Sequence, residues 1–231
     1  MMLLPIAHRG SWYPNKNQQN TPDALLKAAS AGYGLETDVR LYTPEKELLI
    51  IQHDPIDRIG VKGCTIAEAL SAFEKTPLIC WNLKEQQAED PLVNFIVNHN
   101  LVQKSVVFDW ELYPRDDKPI TDVFGLFGIS VLHRVSDRAE NSLPGTPGGR
   151  WIDSWDREWV DQLTIDNIHA TGNLVYIVSS ELHQRSIDLA RWKMWKNADG
   201  ICTDHPAFLE MFMNGDLDIS TDAWWLSMGM K

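Results

Sequence analysis

Along this chain, short β-branched apolar runs alternate with amphipathic stretches of helical period. The runs at 3–7 (LLPIA), 34–39 (GLETDV), 47–52 (ELLIIQ), 78–83 (LICWNL), 105–110 (SVVFDW), 150–155 (RWIDSW), 173–180 (NLVYIVSS) and 199–204 (DGICTD) predict strands, and 124–135 contains another. The segments at 21–31, 65–73, 90–100, 157–170, 182–195 and 206–213 predict helices. Two of these carry start signals: Thr21 as N-cap before Pro22, and Thr65 with Glu68 as a capping box. Near-continuous apolar strands alternating with helices imply a parallel sheet covered by helices. Eight or so such units suit a closed (β/α)8 barrel of the TIM type, on the short side of its size range. The competing doubly wound sheet lacks a Gly-rich dinucleotide fingerprint after any strand. The expectation is an α/β fold with one barrel domain over 1–231. LPGTPGG (143–149) is an internal loop, because the alternation resumes after it, and 214–231 is a C-terminal tail. Trp224 and Trp225 in that tail would dock on the barrel or on a second subunit of a homo-oligomer.

Composition narrows the function classes. The chain has 231 residues, 44% hydrophobic and 23% charged, with a formal net charge of -11. That charge argues against a nucleic-acid or anionic-membrane partner, which needs a basic patch. A small phosphorylated substrate stays open, since local cations and a metal override the global field. The start MMLLPIAHRG has no basic n-region, and Pro5 and His8 interrupt its apolar stretch, so no signal peptide is expected. No run reaches the ~18 apolar residues of a membrane span, so no stable membrane insertion is expected. Cys64, Cys80 and Cys202 are odd in number with no CxxC, and read as reduced, mostly buried thiols. The expected location is cytoplasmic.

Catalytic groups of a (β/α)8 barrel sit at the C-terminal ends of its strands. Here the run ends present His8-Arg9-Gly10, then Glu36 and Asp38, then His53-Asp54, then Asn82 and Lys84. Later ends show Asp109, Asp153, Ser179 with Ser180, and Thr203 with Asp204. Glu36 and Asp38 lie two apart on a strand and share a face. Such a pair either faces solvent or, where its strand is buried as this one is expected to be, calls for a cation between the carboxylates, and Mg²⁺ or Ca²⁺ suits oxygen ligands. His8 and His53 flank this pair and suit alternating base and acid roles. Arg9 has the planar fork that grips phosphate oxygens, Gly10 would let backbone approach a ligand closely, and Lys84 adds a point charge. These parts suit metal-assisted cleavage of a phosphodiester. Trp110, Trp151 and Trp155 offer either a stacking surface for a sugar or polyol at the mouth, or ordinary barrel filling. His133 and Arg134 close another run and either reach the pocket, cap a helix or pair with Asp137.

The ordered set AHRG (7–10), QNTPDALLKAASAGYGLETDVR (19–40) and LLIIQHDPIDR (48–58) resembles the glycerophosphodiester phosphodiesterase family, which reads HRG, ENT, E-x-D-V and HD at similar spacings. ADGICTDHP (198–206) is similar to that family's last-strand motif. The resemblance is dense over 6–54, returns at 198–206 and is thin between. It implies a barrel of the kind also seen in phosphoinositide-specific phospholipases C. It also implies His8 and His53 as the acid–base pair, Glu36 and Asp38 as metal ligands, and Arg9 as a phosphate contact. The implied course is attack by a neighbouring substrate hydroxyl, giving a cyclic phosphate that water then opens.

Three positions depart from the family pattern. The family's third carboxylate, in E-x-K, reads Asn82-Leu83-Lys84 here. The metal site would then use the Asn82 amide oxygen, or Asp109 would supply the carboxylate. ENT reads Gln19-Asn20-Thr21, and the stretch after His53 lacks the small inserted lid, so a more open site is expected. The reading is a metal-dependent hydrolase of a glycerophosphodiester or related polyol- or sugar-linked diester. Two alternatives stand beside it: a catalytically silent barrel binding a phosphorylated ligand or glycan, and a lyase releasing the cyclic phosphate.

Overall fold

The structure is a computed structural model that describes residues 3–42, 48–108, 120–138 and 148–216. Its strands in chain order are β1 (Leu4–His8), β2 (Gly34–Leu41), β3 (Leu49–Ile51), β4 (Cys64–Thr65), β5 (Ile79–Leu83), β6 (Ser105–Phe108), β7 (Ser130–Ser136), β8 (Gly149–Asp153), β9 (Val175–Val178) and β10 (Gly200–Thr203). The helices are α1 (Pro22–Ser30), α2 (Ile56–Ile59), α3 (Leu70–Lys75), α4 (Glu89–Asn98), α5 (Ile120–Gly125), α6 (Gln162–His169), α7 (Leu189–Met194) and α8 (Pro206–Asn214). Eight strands run parallel in the order β1-β2-β5-β6-β7-β8-β9-β10, and β10 closes the ring on β1. The chain forms the expected (β/α)8 barrel. Among the described residues no helix is long and apolar enough to cross a membrane.

The run at 47–52 is a strand, but not a barrel strand. β3 pairs antiparallel with the end of β2, and β4 pairs antiparallel with β3. Parallel pairing needs a crossover of about a dozen residues, and too few lie between Leu41 and Leu49, so the chain turns straight back. This turn has a consequence for the site. Val39 pairs with Leu83 of β5 on one edge of β2 and with Ile51 on the other. That second edge is the one β1 occupies lower down, where His8 pairs with Glu36. The chain leaving β3 therefore descends toward the end of β1, and the Gln52 N–H donates to the Asp38 carbonyl at 3.0 Å.

Alternate residues of the barrel strands fill its interior. Ile6, Cys80, Phe108, Trp151, Tyr176 and Cys202 belong to one buried cluster. Trp151 stacks on Phe108 at 4.1 Å between ring centroids, so it fills the barrel and offers no surface to a ligand. The opposite faces of the strands pack under helices, with Leu25, Phe73, Trp81 and Leu92 on one side and Ile165, Trp192, Trp195 and Phe208 on the other.

Two expected helices are shorter than their periodicity suggests. α6 begins only after Asp161, whose side chain accepts from the Thr164 N–H at 2.8 Å. The expected helix at 182–195 is a 3-10 turn over Ser180–His183 followed by α7, which starts after its own cap, Asp188. Asx caps of this kind compete successfully with helix continuation. The capping box at Thr65 and Glu68 forms, with bonds of 2.7 and 3.2 Å, but it opens a run of turns before α3. The expectations for Asp109, Trp110, residues 143–147 and Trp224 with Trp225 lie outside the described residues.

All three cysteines are free thiols. Burial, with a smaller push from Glu68, raises the Cys64 thiol to about 11. Burial holds Cys80 and Cys202 well above the ordinary thiol range. Because the thiolate is the nucleophile, iodoacetamide at pH 8 is expected to modify the folded protein at least ~10²-fold more slowly than the unfolded chain. Denaturation should then release all 3 thiols. Rapid alkylation of the native protein would contradict this burial.

Candidate active site

One step beyond the apolar interior, on the same face of each strand, the barrel becomes polar. His8 follows Ile6, Asn82 follows Cys80, Arg134 follows Leu132 and Asp153 follows Trp151, each by two residues. Glu36 and Asp38 occupy this inner face of β2 and are buried.

His8 is held from one side. Its Nδ1 lies 2.6 Å from Asp204 Oδ1, and its Nε2 lies 3.9 Å from Glu36 Oε2. An ionised carboxylate only accepts, so Nδ1 carries the proton and Nε2 is left to exchange one. Asp204 sits just past β10, where Thr203 pairs with Ala7. Its N–H donates to Glu181 Oε1 at 3.3 Å, and Glu181 also accepts from the hydroxyls of Ser179 and Thr203. Burial raises the Glu181 carboxyl, and those hydroxyl bonds oppose the rise.

Asp38 is the most heavily supported group. Its Oδ2 lies 2.8 Å from Arg9 Nε and its Oδ1 lies 3.4 Å from Lys84 Nζ. Asn20 Nδ2 donates to Oδ2 at 3.0 Å, while Asn20 Oδ1 accepts from the Thr37 hydroxyl and the Asn20 N–H donates to the Arg9 carbonyl. The QNT stretch thus buttresses the Asp38 carboxylate. Burial alone would raise the Asp38 carboxyl, but Arg9 and Lys84, helped by His53 and His8, hold it well below the ordinary range. Glu36 moves the other way. Burial and then the Asp38 charge push it up, against His8, Arg9 and Lys84.

Arg9 is therefore engaged by Asp38, and its Nη1 also donates to Gln19 Oε1 at 3.4 Å. Gly10 has a different role from the expected one. It has φ +85, and a Cβ there would stand 2.6 Å from the Ala24 carbonyl carbon. Glycine is required because β1 leaves against the backbone of α1, not because a ligand comes close. His53 is about half exposed, with Nδ1 2.8 Å from Asp54 Oδ1, and it is near enough to Asp38 to help depress that carboxyl.

Three buried oxygens at this mouth accept no hydrogen bond, although Asp38 Oδ1 faces the Lys84 ammonium at 3.4 Å: Glu36 Oε2, Asp38 Oδ1 and Asn82 Oδ1. They belong to the three side chains expected to hold a metal. Asn82 is paired in register with Asp38, and its amide donates to Glu36 Oε1 at 3.2 Å, which turns its own oxygen outward from that bond. Buried acceptors rarely lack a donor, and hard oxygen atoms are what Mg²⁺ and Ca²⁺ accept. The residues fit such an ion. Two carboxylates and an amide form a modest set, and among the described residues no cluster of three or more His, Cys, Asp and Glu side chains gathers as a metal site.

The other singled-out residues group on the far side of the ring. Asp153 takes Arg134 Nε at 2.6 Å and His183 Nε2 at 3.0 Å, so both its oxygens are occupied. Trp155 packs on His183 at 3.9 Å and against Arg134 and Arg138. Asp137 accepts the N–H groups of Trp155, Asp156 and Arg157 and does not pair with Arg134. Sequence reasoning noted Asp204 only as a strand end and gave no role to Asn20. Barrel closure beside β1 was the signal that could have joined Asp204 to His8.

Three solved structures share this fold. A chain described as a glycerophosphoryl diester phosphodiesterase, from Silicibacter pomeroyi DSS-3, has a TM-score of 0.68 at 14% identity, covering 93% of this chain and 94% of its own. One described as a glycerophosphodiester phosphodiesterase, from Galdieria sulphuraria, has a TM-score of 0.68 at 13% identity, covering 92% and 99%. The glycerophosphoryl diester phosphodiesterase domain of an uncharacterized protein from Mycobacterium tuberculosis has a TM-score of 0.62 at 14% identity, covering 91% and 99%. At these identities the likeness is one of fold. The sequence matches no family model and no curated protein.

Proposed function

We propose that this protein is a cytoplasmic phosphoric diester hydrolase of the glycerophosphodiester phosphodiesterase kind, cleaving a small glycerol-, polyol- or sugar-linked phosphodiester with Mg²⁺ or Ca²⁺. The observation that carries this reading is the trio of buried oxygens on Glu36, Asp38 and Asn82 that accept no hydrogen bond, beside the His8 imidazole. The shared fold with chains described as such phosphodiesterases supports it. Bound there, the ion would neutralise phosphate charge and make phosphorus more electrophilic.

The chain's own groups do the rest. Lys84 and Arg9 face the same carboxylate and offer positive charge to the phosphate oxygens. His8 and His53 each have Nδ1 fixed by an aspartate, so each presents Nε2 for proton exchange. One Nε2 takes the proton of the attacking substrate hydroxyl and the other protonates the departing alcohol. The cyclic phosphate so formed is opened by water with the two roles reversed.

The test is hydrolysis of glycerophosphocholine, glycerophosphoethanolamine, glycerophosphoglycerol and bis(p-nitrophenyl) phosphate, with Mg²⁺, Ca²⁺ or EDTA. Turnover on at least one substrate should vanish in EDTA. It should fall at least ~10²-fold in Glu36→Gln, because the ion's electrostatic contribution is several kcal/mol. Turnover in EDTA, or in Glu36→Gln, equal to that of the wild type supplied with metal would overturn the metal-assisted reading.

A further inference from the structure

His53 is the one candidate catalytic group that does not stand on the barrel. It follows the three-residue β3, and the chain after it contains only the four-residue α2 and the two-residue β4. Its side chain is 48% exposed, so packing does little to fix it.

Two buried side chains from neighbouring positions hold this segment instead. Gln52 donates to the carbonyls of Asp54 and Gly60, and accepts the N–H groups of Lys62 and Gly63. Arg40, two residues beyond Asp38 on β2, grips the other end. Its Nε and Nη2 both donate to the His53 carbonyl, at 3.0 and 2.6 Å. Its Nη1 donates to Glu85 Oε1 at 3.0 Å, and Glu85 Oε2 accepts the Leu41 N–H at 2.9 Å. Glu85 directly follows Lys84, whose N–H is bonded to the Val39 carbonyl.

One ion pair therefore ties together three of the chain segments that carry the site: β2 with Glu36 and Asp38, the end of β5 with Asn82 and Lys84, and the turn bearing His53. Arg40 is only 7% exposed in its side chain, and a buried guanidinium keeps its charge-assisted bonds. Glu85 is the carboxylate closest in sequence to Asn82, yet both its oxygens are engaged by this strut, so it does not supply the carboxylate that Asn82 replaces.

We propose that the Arg40–Glu85 pair is a positioning device that holds the His53 backbone over the barrel mouth, in the place of a packed lid. Arg40 acts through His53 and not on the substrate. The inference rests on the phosphodiesterase reading for its kinetic arm only.

The test is a double-mutant cycle with Arg40→Met, His53→Ala and both together, alongside Arg40→Lys. Arg40→Met should lower kcat at least ~10-fold, part of the 10²- to 10⁴-fold that an acid–base group supplies. In the His53→Ala background it should lower kcat less than ~2-fold further, because coupled residues are not additive. Arg40→Lys should restore part of the loss. Mg²⁺ affinity by calorimetry should stay within ~2-fold of wild type, and hydrogen exchange at 53–61 should quicken at least ~10-fold while β5 and β9 do not change. Equal losses in both backgrounds, or unchanged exchange at 53–61, would overturn the proposal. If the wild type cleaves none of the substrates, the phosphodiesterase reading fails, and the exchange arm still decides whether Arg40 holds the turn.

Discussion

Replacing His8 by alanine is expected to cut turnover by roughly 10²- to 10⁴-fold, the usual worth of an acid–base group, with little loss of fold. His8 stands at the end of β1, above the interior cluster rather than within it, and its side chain is 14% exposed. Its removal leaves Asp204 facing water, at 17% side-chain exposure, so the stability cost should be about one hydrogen bond, ~1 kcal/mol. Asp204→Asn keeps the imidazole but replaces an acceptor-only carboxylate by a neutral amide that can also donate to Nδ1, so the proton is no longer fixed there. Its kcat/KM should fall between wild type and His8→Ala. Full turnover in His8→Ala, with circular dichroism unchanged, would remove His8 from the chemistry.

Asp38→Asn should show the largest change in stability. Asp38 is fully buried and stands between Arg9 and Lys84, with Lys84 6% exposed in its side chain. Removing the carboxylate strands two cations, a defect that costs about 3–5 kcal/mol when one partner of a buried pair is lost. Arg9 keeps some contact with water, which favours the lower end of that range. Chemical denaturation at pH 7 measures it, and calorimetry should show Mg²⁺ or Ca²⁺ binding lost as well. The pH dependence has a definite sign. The Asp38 carboxyl is held below its ordinary value, so its stabilisation is complete above the unfolded value of about 3.9 and is lost as pH falls toward the folded value. The gap between wild type and Asp38→Asn should therefore narrow below about pH 4. Glu36 has the opposite sign, since its carboxyl is held high and its ionisation costs stability above about pH 4.3. A constant gap from pH 7 to pH 3 would contradict the placement of Asp38 between two cations.

The parts of this molecule that were legible in its sequence are those set by local period. Ile6-then-His8, Cys80-then-Asn82 and Glu36 with Asp38 are two-residue steps on one strand face, and that step alone predicts polar groups at the mouth. β3 was legible as a strand but not as an antiparallel one, because an apolar run carries no direction. Only the short connection after Leu41 decides it. Asp161 and Asp188 start α6 and α7 later than the helical pattern does by N-capping, a competition between side chain and backbone that amphipathic period does not register. The bond from His8 to Asp204 spans 196 residues, and it follows from barrel closure rather than from any local signal. Trp151 fits two readings, and its stacking on Phe108 settles it as barrel filling; Gly10 reads as room for a ligand, and the close neighbour is the Ala24 backbone.

Phosphorus NMR of glycerophosphodiesters incubated with the protein and Mg²⁺ or Ca²⁺ decides whether the barrel cleaves a phosphodiester, because it detects a phosphomonoester and a cyclic phosphate alike. A new product resonance is expected with wild type and is expected to be absent with EDTA and with His8→Ala. A diester left intact by the wild type, with the ion shown by calorimetry to bind in wild type and not in Glu36→Gln, would contradict the phosphodiesterase reading.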